Sequence, residues 1–173
     1  MNTLTVPWPV PPEASMPEPL QTIFLWITIV GAAAVLLWGI AMSVKRGTAV
    51  TALMVLGGFT SIVMETTVTF LGHAIHPAQG QIMLFEAVGR AIPWGIALGY
   101  MAGFGIFYLC LYPAYMEGRL KTAQIWKTCI IAAVLYFIGE AYFVSNGLWI
   151  YYDYQPMRIW DGTAPLTWNW LNT

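Results

Sequence analysis

Two glutamates and two histidines are the residues whose types and positions can do chemistry in this chain. Glu65 sits in IVMETTVTFLGHAIHP, residues 62–77, and Glu140 in YFIGEAYF, residues 136–143; both are carboxylates within apolar runs. An ionisable side chain in lipid is costly, and by default it turns inward to a partner or to water. Two carboxyls facing one cavity can divide acid catalysis between them, one donating a proton and the other accepting it. The plainer alternative is that each is a structural carboxyl, hydrogen-bonded to neighbouring Thr, Tyr or backbone groups.

His73 and His76 stand three apart, a spacing that can share a helix face. Histidine is the commonest metal ligand, but two are too few for the His-rich di-iron sites of membrane desaturases and hydroxylases. Pro77 also suggests that the helix is ending there. The expectation is therefore polar lining or proton sharing at a cavity mouth, with no metal and no cofactor. Glu86 and Arg90, four apart in FEAVGR, read as an ordinary helical ion pair on a short interfacial helix. The chain contains no Gly-rich phosphate loop, nucleophile elbow, CxxC or HExxH, so covalent, nucleotide and zinc-protease chemistries have no support.

Composition dictates what must position these groups. The chain is 58% hydrophobic and 9% charged, with a mean hydropathy of +0.65, against roughly 25% charged in soluble domains. A net charge of −1 leaves no basic footprint for nucleic acid. Cys110 and Cys129 lie in apolar runs, where a free thiol behaves as a small hydrophobe. The first residues are Pro-rich and lack a charged n-region, so no cleavable signal peptide is expected.

Four runs match the ~20 apolar residues that cross a ~30 Å hydrocarbon core: 22–44, 49–71, 93–111 and 128–150. The expected fold is all-α, an integral membrane four-helix bundle. Residues 1–21 form a Pro-rich extracytoplasmic segment, and residues 151–173 an irregular aromatic-rich cap on the outer face. Lys45, Arg46, Arg119, Lys121 and Lys127, five of the seven basic residues, fall in the two loops that four spans place on one side. The positive-inside rule puts that side in the cytoplasm of a bacterial inner membrane, and both termini outside. Glu65 then lies about six residues, and Glu140 about ten, from the outer ends of two spans running in the same direction; at ~1.5 Å per residue their depths differ by about 6 Å. The glycines of GYMAGFG in the third span suggest close helix packing.

The order of elements resembles a known family. A carboxylate in the second span is followed by GRAIPW opening the third, FIGE in the fourth, and then GLWIYYDYQPMRIWDGTAPLTWNWLN. In this the chain looks like the bacterial spirocyclases typified by the avermectin spiroketal enzyme, the AveC family, from about Leu20 onward. The best-matched parts are Gly89–Trp94 and Gly147–Asn169, where a YY-x-x-QP element precedes a PL-x-W-x-x-N element. The resemblance implies a multispanning enzyme that cyclises or dehydrates polyketide- or terpenoid-like lipophilic substrates by acid catalysis. It implies polar site positions at Glu65, Arg90, Glu140, Tyr152, Gln155 and Asn169. Asp153 stands where the family usually has glycine, and Glu65 where an aspartate is expected. Family members usually continue with further spans after the last element, so by this resemblance the chain corresponds to a short form.

The leading expectation is acid-catalysed cyclisation or isomerisation of a membrane-soluble substrate. Glu65 and Glu140 are its proton-transfer groups, with His73, His76, Arg90, Tyr152, Asp153, Gln155 and Asn169 around the substrate. The alternative is a non-catalytic accessory subunit packed on other membrane subunits or a pigment, which nine Trp, nine Tyr and nine Met would suit. A proton-coupled carrier using the same two glutamates is a third. The expected partners are the lipid bilayer and a lipophilic small molecule.

Overall fold

A computed structural model describes residues 14–152 and the backbone of two short strands at 157–158 and 169–170. Four helices in it are long and apolar enough to cross a membrane. The first, α1 (Leu20–Arg46), carries no charge before Lys45 and ends where Gly47 takes a left-handed conformation (φ 63°), its N–H capping the carbonyls of Ser43 and Val44. The second is Val50–Leu71, divided into α2 (Val50–Thr60), a 3-10 turn (Ser61–Met64) and α3 (Glu65–Leu71). The third, α4 (Trp94–Met116), runs through Pro113, where the sequence suggests a stop at residue 111. The fourth, α5 (Thr122–Ser145), begins about a turn and a half earlier than the apolar run implies, because TAQIWK is already helical, with Lys121 as the N-cap and Lys127 within it.

The first three packed units form the core. Polar groups join α1 to α2: the Thr51 hydroxyl donates to Gly39 O (2.8 Å) and lies 2.7 Å from Ser43 Oγ, which accepts from Ala52 N–H. Such groups add interhelical hydrogen bonds where lipid offers no hydrophobic drive. Glycine permits the closest approaches. A Cβ on Gly105 of α4 would lie 2.6 Å from Val35 Cγ1, and one on Gly58 of α2 would lie 3.2 Å from Tyr100 O. One apolar cluster joins Ala32, Val35, Val55, Met101 and Leu109 across these helices. Outward positions such as Trp26, Ile27, Leu37 and Leu53 are exposed, a larger apolar surface than a water-soluble monomer tolerates.

The helix α5 is not an equal member of a four-helix bundle. Glu140 is the only buried residue along it, and a groove lined by Cys110, Ala114, Gln124, Lys127, Thr128 and Ile131 separates its first turns from α4. It meets the core near its other end, where Phe143 packs edge-on against Phe24 of α1 (ring centroids 5.0 Å) and against Trp149 (5.4 Å).

At that end the connections are strands, not the expected interfacial helix. Strand β1 (Ala74–Ile75) pairs antiparallel with β4 (Ile150–Tyr151). Strands β2 (Met83–Ala87) and β3 (Arg90–Pro93) form a hairpin closed by Val88 and Gly89, both at positive φ (55° and 65°). That is the backbone a two-residue hairpin turn with right-handed strand twist requires. A further pair, β5 (Met157–Arg158) with β6 (Asn169–Trp170), lies in the segment expected to be the aromatic cap. The rest of that segment, and residues 1–13, are outside the described residues. At the opposite end Arg46 reaches Glu117 at 3.7 Å, bringing two of the basic-residue loops together.

Candidate functional site: two tyrosine-bonded carboxyls

The 3-10 turn interrupts the second membrane-length helix just before Glu65, the first residue of α3. A mid-helix 3-10 stretch often marks a functional or strained point. Here it accompanies a carboxyl that is 10% exposed and twice hydrogen-bonded. Its Oε1 lies 2.9 Å from His76 Nε2, and its Oε2 accepts a hydrogen bond from the Tyr100 hydroxyl on α4. The threonines after it do not serve the carboxyl. Thr66 donates to Val63 O and Thr69 to Glu65 O, back-bonding into their own helix.

His76 reaches Glu65 because the helix ends. After Leu71 the chain turns through His73, at φ 48°, and enters β1, whose pairing with β4 folds the following residues back over the helix terminus. The His76 side chain is 4% exposed, and its ring meets Trp149 edge-on at 6.1 Å. The expected shared helix face of His73 and His76 is therefore not formed. His73 instead stacks on the Tyr152 ring (5.9 Å), and its carbonyl accepts from Tyr152 N–H.

Glu140 is met from the same ribbon. The Tyr151 hydroxyl, on β4 opposite Ala74, donates to Glu140 Oε1 at 2.5 Å. The two carboxyls lie within electrostatic reach of one another, with Tyr100, Tyr136 and Tyr151 in the same field. Each carboxyl thus has its own tyrosine, Tyr100 for Glu65 and Tyr151 for Glu140.

Arg90 anchors the rim. It lies on β3, not on a helix, and Glu86, across the hairpin opposite Ala91, is exposed. The expected Glu86–Arg90 helical ion pair does not form, because the hairpin turn between them puts the two on different strands. The Arg90 guanidinium sits 5.5 Å from both the Phe70 and the Tyr152 rings, donates to the Tyr152 hydroxyl, and makes a long bond to Gly89 O (3.4 Å). Two buried nitrogens here lack a hydrogen-bond partner among the described residues, His76 Nδ1 and Arg90 Nε. Asp153 and Gln155 are outside the described residues; Asn169 lies on β6, with its side chain outside the description.

Sequence reasoning missed Tyr100, Tyr151 and Trp149. A lone hydroxyl within the apolar GYMAG was a usable signal for Tyr100. For Tyr151, one of two adjacent tyrosines, only the strand register decides which one meets the carboxyl. No group of three or more His, Cys, Asp or Glu side chains among the described residues is placed to hold a metal ion. No family model, curated protein or solved structure matches the chain.

Proposed function

We propose that the protein is a multi-pass enzyme of the bacterial cytoplasmic membrane, with both termini outside, that cyclises or isomerises a lipophilic substrate by acid–base catalysis. The observation that carries this reading is the convergence of two buried carboxyls, Glu65 and Glu140, on membrane-length helices, each bonded to a tyrosine hydroxyl. A purely structural carboxyl needs a partner but does not need a second carboxyl beside it, since two like charges raise the cost of burial.

In the reaction, Glu140 as the carboxylic acid gives its proton to a ketone, hydroxyl or epoxide oxygen of the substrate. A hydroxyl elsewhere on the substrate attacks the activated carbon, and Glu65, with two hydrogen-bond partners, takes the proton released. His76, in contact with Glu65, holds the base in place and can carry that proton onward. Glu140 regains a proton through the Tyr151 hydroxyl bonded to it, which is both a donor and an acceptor. With a ketone or epoxide the substrate then leaves with its atoms unchanged in number; with a hydroxyl, the protonated oxygen departs as water when the new C–O bond forms. The resemblance to spirocyclases supports this reaction class, and polyketide- or terpenoid-like molecules suit the apolar surroundings.

A second reading rests on a different observation. The apolar window of α5 has none of its residues buried, which suits an accessory subunit whose fourth helix packs on another membrane protein. Replacing Glu65 and Glu140 singly by glutamine separates the two. As an enzyme, each variant loses about 10²–10⁴-fold in product formation while still accumulating in the membrane. As a subunit, both variants keep full function, and that result overturns the catalytic reading.

A further inference from the structure

Arg90 presents a problem that the acid–base reading leaves unsolved. Its side chain belongs to a residue only 6% exposed, yet no carboxylate among the described residues pairs with it. The hairpin's own acid, Glu86, is exposed and makes no ion pair with it. Of five N–H donors, one serves the Tyr152 hydroxyl and one makes the long contact to Gly89 O, while Nε is buried without a partner among the described residues. The flanking rings of Phe70 and Tyr152 recover part of the cost of desolvating the cation through its attraction to their faces. They cannot fill the guanidinium fork, whose geometry matches a planar or tetrahedral oxyanion. A buried cation that keeps unfilled donors is poised for a counter-ion from beyond the described residues.

We infer that Arg90 is the seat of an oxyanion, a carboxylate or phosphate, borne by an amphiphilic ligand whose apolar body extends toward Glu65 and Glu140. Two placements support this. Phe70, against which the guanidinium rests, follows Glu65 by five residues on α3, about 7.5 Å along the axis. Tyr152, which Arg90 holds, is the neighbour of Tyr151, the partner of Glu140. An oxyanion at Arg90 therefore lies within about two helical turns of Glu65 along α3, at the end of the molecule where Tyr151 meets Glu140. The inference rests on the proposed function for the claim that this ligand is the substrate, but the oxyanion site itself stands on the Arg90 geometry alone.

The test uses the full chain in neutral detergent micelles and two probes, the fluorescent fatty acid cis-parinaric acid and its methyl ester. Binding is read by energy transfer from tryptophan, with empty micelles as the blank. The acid should bind about tenfold or more tightly than the ester, as a charge-assisted bond to a carboxylate allows. Arg90→Gln should remove the preference, and Arg90→Lys, which keeps the charge without the fork, should narrow it. Displacement then identifies the source. Competition by inorganic phosphate means that any oxyanion suffices, competition by phosphatidylglycerol alone means a lipid headgroup, and competition by neither means the carboxylate of an acyl-type substrate. Equal binding of acid and ester by the unaltered chain overturns the inference, whether or not Arg90→Gln folds. So does a preference that survives in a folded Arg90→Gln chain. Glu65→Gln and Glu140→Gln should keep the preference, so a chain that binds the acid selectively but loses no turnover in these variants sinks the acid–base reading and leaves the oxyanion site standing.

Discussion

Replacing Glu65 by alanine and by glutamine should have unequal consequences for stability and the same consequence for turnover. Alanine removes both partners at once, leaving the Tyr100 hydroxyl and His76 Nε2 with nothing to bond. A buried polar group stranded in this way costs about 1–3 kcal/mol. His76 is nearly fully buried and should incur most of that, whereas Tyr100 is half-buried and should incur less, so the pair together cost about 2–4 kcal/mol. That is a large part of the 5–15 kcal/mol that typically separates folded from unfolded chains.

Glutamine has the shape to keep both contacts. Its carbonyl can accept from Tyr100, and its amide can donate to His76 Nε2 once the imidazole proton sits on Nδ1, a nitrogen now without a partner. What is lost is charge assistance, about 1 kcal/mol. The amide cannot exchange a proton with substrate, so turnover should still fall about 10²–10⁴-fold. Thermal unfolding in micelles, followed by tryptophan fluorescence, gives the stability order. Extracted metabolite profiles of cells carrying each variant give the turnover. The reasoning is refuted if the glutamine chain unfolds as early as the alanine chain, since Glu65 would then be needed as a charge for folding. It is equally refuted if the glutamine chain converts substrate at the unaltered rate.

Other expectations follow from packing and orientation. Gly105→Ala should destabilise by about 1–3 kcal/mol, because the new methyl meets Val35 Cγ1 at 2.6 Å. Gly103→Ala, with nothing within 4 Å, should be neutral or slightly stabilising; equal melting of the two would show that α4 does not pack on α1 as described. Val88→Asn in the hairpin turn should slow amide exchange across β2 and β3, since a β-branched residue is strained at φ 55° and asparagine is not. Single cysteines at 45 and 121, in a chain with Cys110 and Cys129 replaced by serine, should label from the cytoplasm and one at 79 from outside. Labelling of 79 and 121 from the same side would contradict the four-crossing topology.

The parts of this protein visible in the sequence are those set by composition over long windows. Twenty apolar residues in a row announce a membrane-length helix whatever surrounds them, which is why all four helices fall where hydropathy places them. Their ends were less legible. Pro113 is tolerated within α4, and the Gln124 side chain, accepting from Lys121 N–H as in a capping box, starts α5 before the apolar run. The region between residues 72 and 92 misled for a different reason. Spacings of three and four residues imitate helical pairs, yet positive φ at His73, Val88 and Gly89 breaks both segments into tight turns and strands. His73–His76 and Glu86–Arg90 were helical pairs only on paper.

The candidate site was legible in its carboxyls and hidden in their partners, and the β1–β4 ribbon is the reason. Two residues on each strand, 74–75 and 150–151, are all that pair. Yet this contact sets Tyr151 against Glu140 and carries the chain into His76, which meets Glu65. The partners of two glutamates 75 positions apart in the chain are thus fixed by one short strand pairing that no local periodicity announces. Since α5 makes little contact with the core along most of its length, the ribbon and the Phe143 contacts also do much to hold Glu140 near Glu65. Placement of Glu140 and docking of the end of α5 are therefore one event: anything that opens the ribbon frees Tyr151 and Glu140 from their contact even while all four helices remain intact.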